Sequence, residues 1–185
     1  MNLSLMKMTH PLTVLCLWLL AGLALASLPR DPESHFFQET FGNLQEDLQI
    51  ARAEGRQGLL LLFEMDECPW CQRMRNTVLN QPVVQDYYRK HFRILSIDVE
   101  GDLELQDFSG ETIREKDLAF ERFGVRATPV FAFFDPDGRL LVRYTGPTAN
   151  VEEFLWLGEY VTSQAYRDTS FAVYKRERRK QAVAR

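Results

Sequence analysis

Apolar positions along the chain recur at two spacings, and the changes between them outline the elements. From His35 to about Glu54, residues Phe37, Phe41, Leu44, Leu48 and Ala51 return every three or four positions, which predicts one helical stripe. Gly55 and Gly58 punctuate its exit. Leu59-Leu60-Leu61-Leu62-Phe63 is a short continuous apolar run, as in a central strand buried on both faces. A helix follows from Pro69 towards Leu79, with proline in its first turn, and breaks at Asn80-Gln81-Pro82. A second helical piece carries Val83, Val84, Tyr87 and Tyr88, and Arg93 to Val99 alternates as a strand. Glu100 to Gly110 reads as a polar connection, and Thr112 to Phe123 as a helix stopped by Gly124. Val130–Phe134 and Leu140–Tyr144 flank the turn Asp135-Pro136-Asp137-Gly138 and predict a hairpin; Val151 to Tyr166 is a last amphipathic helix.

A strand–helix–strand unit followed by an antiparallel hairpin predicts an α/β fold: a central mixed sheet with helices on both faces. The chain shows no internal repeat and no low-complexity linker. The expected divisions are a signal segment over 1–26, a lead over 27–34, one domain over 35–166, and a basic tail over 167–185.

The signal reading rests on a weakly basic start with Lys7, an apolar run from Leu12 to Ala26, and small residues at Ala24 and Ala26. Its fifteen residues fall short of the roughly 20 that span a bilayer as a helix. Cleavage after Ala26 is expected, and an uncleaved anchor is the alternative. Either way the folded part lies outside the cytoplasm. Lipid attachment at Cys16 is disfavoured by bulky Leu15.

Charge changes the picture only at the carboxyl end. Ser27 to Val173 carries 15 basic against 25 acidic residues, so nothing argues for nucleic-acid binding. Tyr174 to Arg185 carries 6 basic against 1 acidic, and is read as the solvated end of a terminal helix. Contact with anionic lipid or an acidic partner is the other use for such a tail.

Once the signal is removed, Cys68 and Cys71 are the only cysteines. A bridge between them closes a very short loop and adds little by chain entropy, so redox chemistry explains the pair better than stapling. A thiol attacks a disulfide as thiolate, and a helix start favours the thiolate through unpaired N–H groups and the helix dipole. Pro69 stiffens the turn, and the two-residue spacing brings Cys71 within reach of Cys68 Sγ. Cys68 is then the attacking thiol and Cys71 the resolving one, with Trp70 offering a flat apolar surface to a partner. Zinc needs four ligands, and His35 and His91 lie on separate segments. A Cu(I) site helped by Met65 or Met74, an inert bridge, and a non-catalytic peptide-binding surface remain alternatives. No cofactor beyond the cysteine pair is called for.

Cys68-Pro69-Trp70-Cys71 after an apolar strand, with Gly124-Val125-Arg126-Ala127-Thr128-Pro129 before a later one, resembles the thioredoxin superfamily from about Phe36 to Tyr166. The resemblance implies a cis-proline at Pro129, facing the cysteine pair, and a partner-contacting residue at Thr128. Finer features are similar to the periplasmic SoxW-type thioredoxins: Phe63-Glu64, Gln72-Arg73-Met74, Val78 to Val84, and Asp107 to Glu111. That implies reduction of disulfide-bearing periplasmic partners with electrons from a DsbD- or CcdA-type membrane protein; a periplasmic disulfide oxidase or isomerase is the alternative, because redox potential and not the motif sets the direction. One position departs from the family. Where cytoplasmic-type thioredoxins carry a buried Asp six residues before the first cysteine, this chain has Leu62. Glu64, two residues on and on the same strand face, is a candidate substitute for proton transfer to Cys71, the other reading being a strand-end glutamate in solvent.

Overall fold

The structure, a computed structural model, describes residues 28–183. The signal segment expected over 1–26 lies outside them. Strand β1 (Leu59–Glu64) is central because its six residues are buried in an unbroken row. It pairs in parallel with β2 (Arg93–Asp98) and antiparallel with β5 (Val130–Phe134), and β5 pairs antiparallel with β6 (Leu140–Thr145). The sheet order is β2-β1-β5-β6, a mixed sheet of the expected kind.

Side-chain alternation along β1 assigns the two layers. Leu60 and Leu62 pack with Met74, Val78 and Leu79 behind the cysteine pair, with Val84 and Tyr88 of α4 (Pro82–His91), and with Phe154 and Leu157 of α6 (Val151–Thr162). Leu59, Leu61 and Phe63 pack on the other face with Leu44, Leu48 and Ala51 of α2 (Leu44–Ala53) and with Leu118 and Ala119. Full burial of each such side chain is worth about 1.5–3 kcal/mol. Arg93 Nε donates to Asp47 Oδ1 at 2.6 Å beneath the second layer, which ties β2 to α2.

The stripe predicted from His35 to Glu54 is broken in two. A single turn, α1 (Pro32–His35), is capped by Asp31, and the next helix starts only where the Asn43 side chain accepts the N–H groups of Gln45 and Glu46. Gly42, at φ +72°, turns the chain just before that cap. Phe41 is 97 % exposed, while Phe36 and Phe37 lie on the opposite face of the sheet from Leu44 and Leu48.

Residues 100–123 depart further from the expected pattern. β3 (Glu104–Gln106) and β4 (Thr112–Arg114) form a separate hairpin, closed by Asp107, which accepts the N–H groups of Ser109 and Glu111. β-Branched Thr112 and Ile113 favour strand over helix here. Only one helical turn, α5 (Glu115–Asp117), and a wide π turn over Leu118–Arg122 remain of the predicted helix. The last helix of the domain, α6, stops at Thr162, short of Tyr166.

The basic tail is helical, as α7 (Phe171–Val183), but it is not wholly solvated. Phe171 and Tyr174 pack on Tyr160, and Lys175 and Arg179 converge on the buried carboxylate of Glu153 at 2.8 and 3.0 Å. Among the described residues no helix is long and apolar enough to cross a membrane.

Candidate active site

Cys68 lies just past the carboxyl end of β1, where the chain turns into α3 (Pro69–Met74). It is the N-cap of that helix, in extended conformation, and its Sγ accepts the backbone N–H of Cys71 at 3.0 Å. Pro69 occupies the first turn, where its missing N–H leaves no bond unmade. Cys68 and Cys71 are joined as a disulfide with their Cα atoms 5.2 Å apart. Both cysteines are 2 % exposed, whereas Trp70 between them is 54 % exposed with the Arg73 guanidinium over its ring. The disulfide is thus nearly covered, with an exposed aromatic surface beside it.

The opposite wall comes from the loop before β5. Thr128 Oγ1 donates to Cys68 Sγ at 3.3 Å, and the Thr128–Pro129 peptide bond is cis. Pairing of Phe63 with Val130 brings the end of β1 beside the start of β5, so two loops sixty residues apart meet at one end of the central strands.

Glu64 sits at the end of β1, 6 % exposed, on the face of Leu62. It is not alone there. Arg75 Nε donates to Glu64 Oε2 at 2.9 Å, Arg75 Nη2 reaches Oε1, and Ser96 Oγ donates to Oε1. Burial works against the Arg75 cation, but its hydrogen bonds and charge pairing with Glu64 and Glu33 outweigh that and hold it above the usual guanidinium range. A cavity of about 350 Å³ opens beside this network, lined in part by Glu33, Glu64, Asp66, Cys71, Arg75 and Asp98. Glu64 and Cys71 thus border one cavity. Leu62, in contrast, is fully occupied in the core.

Of the methionines and histidines singled out from sequence, only Met65 reaches the cavity. Met74 is buried, its sulfur 3.7 Å from Thr148 Oγ1. His35 contacts the Asp31 carbonyl, and His91 packs against Tyr87. Arg75, Ser96 and Glu33 were not marked in the sequence. The π turn that begins at Arg75, the parallel register that sets Ser96 and Asp98 beside β1, and the path of the lead that carries Glu33 bring them in, and none has a local sequence signal.

The sequence profile of the thioredoxin-like domain matches residues 44–162. The chain belongs to the thioredoxin-like domain family. Its structure is similar to that of a thioredoxin-fold protein from Helicobacter pylori, with a TM-score of 0.60 and 19 % identity over 81 % of this chain and 95 % of the other. A thioredoxin from Thermus thermophilus is similar at a TM-score of 0.53 and 27 % identity, over 69 % of this chain and 88 % of its own. Among curated proteins none matches. The lead before residue 44 and the helix after residue 162 lie outside the family match.

Proposed function

We propose that the protein is a thiol–disulfide oxidoreductase that reduces disulfides of extracytoplasmic partner proteins. The observation that carries the proposal is the Cys68–Cys71 disulfide at a helix start, with Thr128 Oγ1 at 3.3 Å from Cys68 Sγ. Family membership and the 27 % identity to a thioredoxin support it.

In the reduced protein the Cys68 thiolate attacks one sulfur of the partner disulfide, and the partner's other sulfur leaves as thiolate. Cys71 then loses its proton, for which Glu64 is the proposed acceptor, and attacks Cys68 Sγ. The internal disulfide forms and the partner's second sulfur leaves. Two electrons have moved to the partner. Trp70 and the Thr128–Pro129 loop form the slot that receives the partner chain. The oxidised pair is returned to dithiol by an electron donor, which we assign to the DsbD or CcdA class of membrane protein. The extracytoplasmic setting rests on the Leu12–Ala26 segment, and a role like that of SoxW-type thioredoxins on the sequence around the cysteine pair.

Equilibration of the Cys68–Cys71 couple with dithiothreitol or glutathione, followed by alkylation of free thiols, tests the direction. A potential near thioredoxin's, about −270 mV, is expected of a reductase. A value near about −120 mV would make the protein an oxidase instead.

A further inference from the structure

Glu64 faces charged groups from every element around it. Glu33 approaches from α1, Asp66 from the turn after β1, Asp98 from the neighbouring strand β2, and Cys71 from α3. Against these carboxylates, Arg75 is the one cation among the residues that line the cavity. Its guanidinium is held on three sides. It donates to both oxygens of Glu64, pairs with Glu33, and lies over the Phe37 ring with its central carbon 4.9 Å from the centroid. Glu33 and Phe37 both precede the region matched by the thioredoxin-like domain.

We infer that Arg75 is a positioning residue for the resolving step, fixing the Glu64 carboxylate at the cavity wall beside Cys71 under the control of Glu33 and Phe37 in the N-terminal lead. The inference rests on the reading that Glu64 exchanges a proton with Cys71. In that step the Cys71 S–H bond breaks and its proton passes to Glu64. The sulfur's electron pair forms the new bond to Cys68 Sγ, and the partner sulfur leaves with the electrons of the old bond. Glu64 accepts that proton as a carboxylate, and the guanidinium on both of its oxygens fixes the orientation in which it does so. Without the cation, four carboxylates line one cavity with no counter-charge among its lining residues. The lead is thus part of the acid–base machinery of the dithiol.

Stopped-flow reaction of the reduced protein with dithionitrobenzoate separates the two cysteines, because Cys68 releases the first thionitrobenzoate and Cys71 the second. The pH profile of the second phase is the readout. Arg75→Gln is expected to move its acid limb to higher pH by about 1–3 units, with roughly tenfold slower release per unit below the limb. Arg75→Lys keeps the charge and is expected to restore most of the profile. Glu33→Gln removes one carboxylate and leaves Arg75 to Glu64, so its shift is expected to be smaller and towards lower pH. Glu64→Gln is expected to abolish the limb. If Glu64→Gln changes the profile and Arg75→Gln does not, the inference fails while the proton-transfer reading stands. If Glu64→Gln leaves the profile intact, that reading fails and the inference with it. Equal loss at every pH in Arg75→Gln and Arg75→Lys would reduce Arg75 to a structural residue.

Discussion

Thr128 Oγ1 and Cys68 Sγ are 3.3 Å apart, the hydroxyl of one loop donating to the sulfur of another sixty residues away. A donor at that sulfur favours the thiolate over the thiol once the disulfide is reduced. Thr128→Val keeps the shape of the side chain and removes the donor. One such bond is worth about 1 kcal/mol, so partner reduction is expected to slow about fivefold. Thermal unfolding of the variant should stay close to that of the parent, and an insulin-reduction assay reads the rate.

The two cysteines have different surroundings. Cys68 Sγ caps the helix and faces Thr128, while Cys71 borders the cavity with Glu64. Cys71→Ser should therefore accumulate mixed disulfides through Cys68 when incubated with disulfide-bearing proteins, visible on non-reducing gels. Cys68→Ser should accumulate none. Equal trapping by both variants would overturn the assigned order of attack.

Glu153 is 3 % exposed and accepts from Lys175 and Arg179, so it anchors α7 to α6. Glu153→Gln leaves both cations without a counter-charge. Because Arg179 is itself largely exposed, the cost is expected at about 1–3 kcal/mol, below that of breaking a fully buried pair. Urea unfolding measures it. Limited proteolysis should cut first within 163–183 in the variant.

Gly58 has φ +143°, and a Cβ there would meet the Phe134 carbonyl oxygen at 1.9 Å. The close approach lets β1 start beside the end of β5. Gly58→Ala is expected to destabilise by about 3 kcal/mol or more, since backbone must shift to admit the methyl. Gly55, at φ +69° with nothing within 4 Å of where a methyl would sit, is the control. Gly55→Ala should cost about 1 kcal/mol, from conformation alone.

Asp107 is nearly buried, which works against its charge, but hydrogen bonds from Ser109 and Glu111 and the Arg122 guanidinium outweigh burial and hold its pKa below the ordinary aspartate value. Asp135 is depressed in the same way by Arg139 and the N–H group of Asp137. A group whose folded pKa is lowered stabilises the fold above its unfolded value, about 3.9 for aspartate, and loses that contribution as pH falls through the folded value. The melting temperatures of Asp107→Asn and of the parent should therefore differ at pH 7 and converge in strong acid. A gap that persists unchanged to the lowest pH would show that the charge contributes nothing.

The sheet and the chemistry of the cysteine turn were legible in the chain alone, because both are local. Five apolar residues from Leu59 to Phe63, ended by polar residues and preceded by Gly58, fit a strand buried on both faces, and a proline just after Cys68 favours a helix start. The Thr128–Pro129 loop was legible through family resemblance, as a motif before a strand. Periodicity failed where burial was not periodic. Phe41 matched the spacing of a helix face and is exposed, and Thr112 to Arg114 form a strand that a polar flank concealed. The company around Glu64 was settled by packing in three dimensions. Strand alternation placed Glu64 on the Leu62 face, but Arg75 arrives through a π turn, Ser96 through strand register, and Glu33 through the path of the N-terminal lead. Ion pairs between such distant positions depend on where the backbone goes, and residue type alone does not record that.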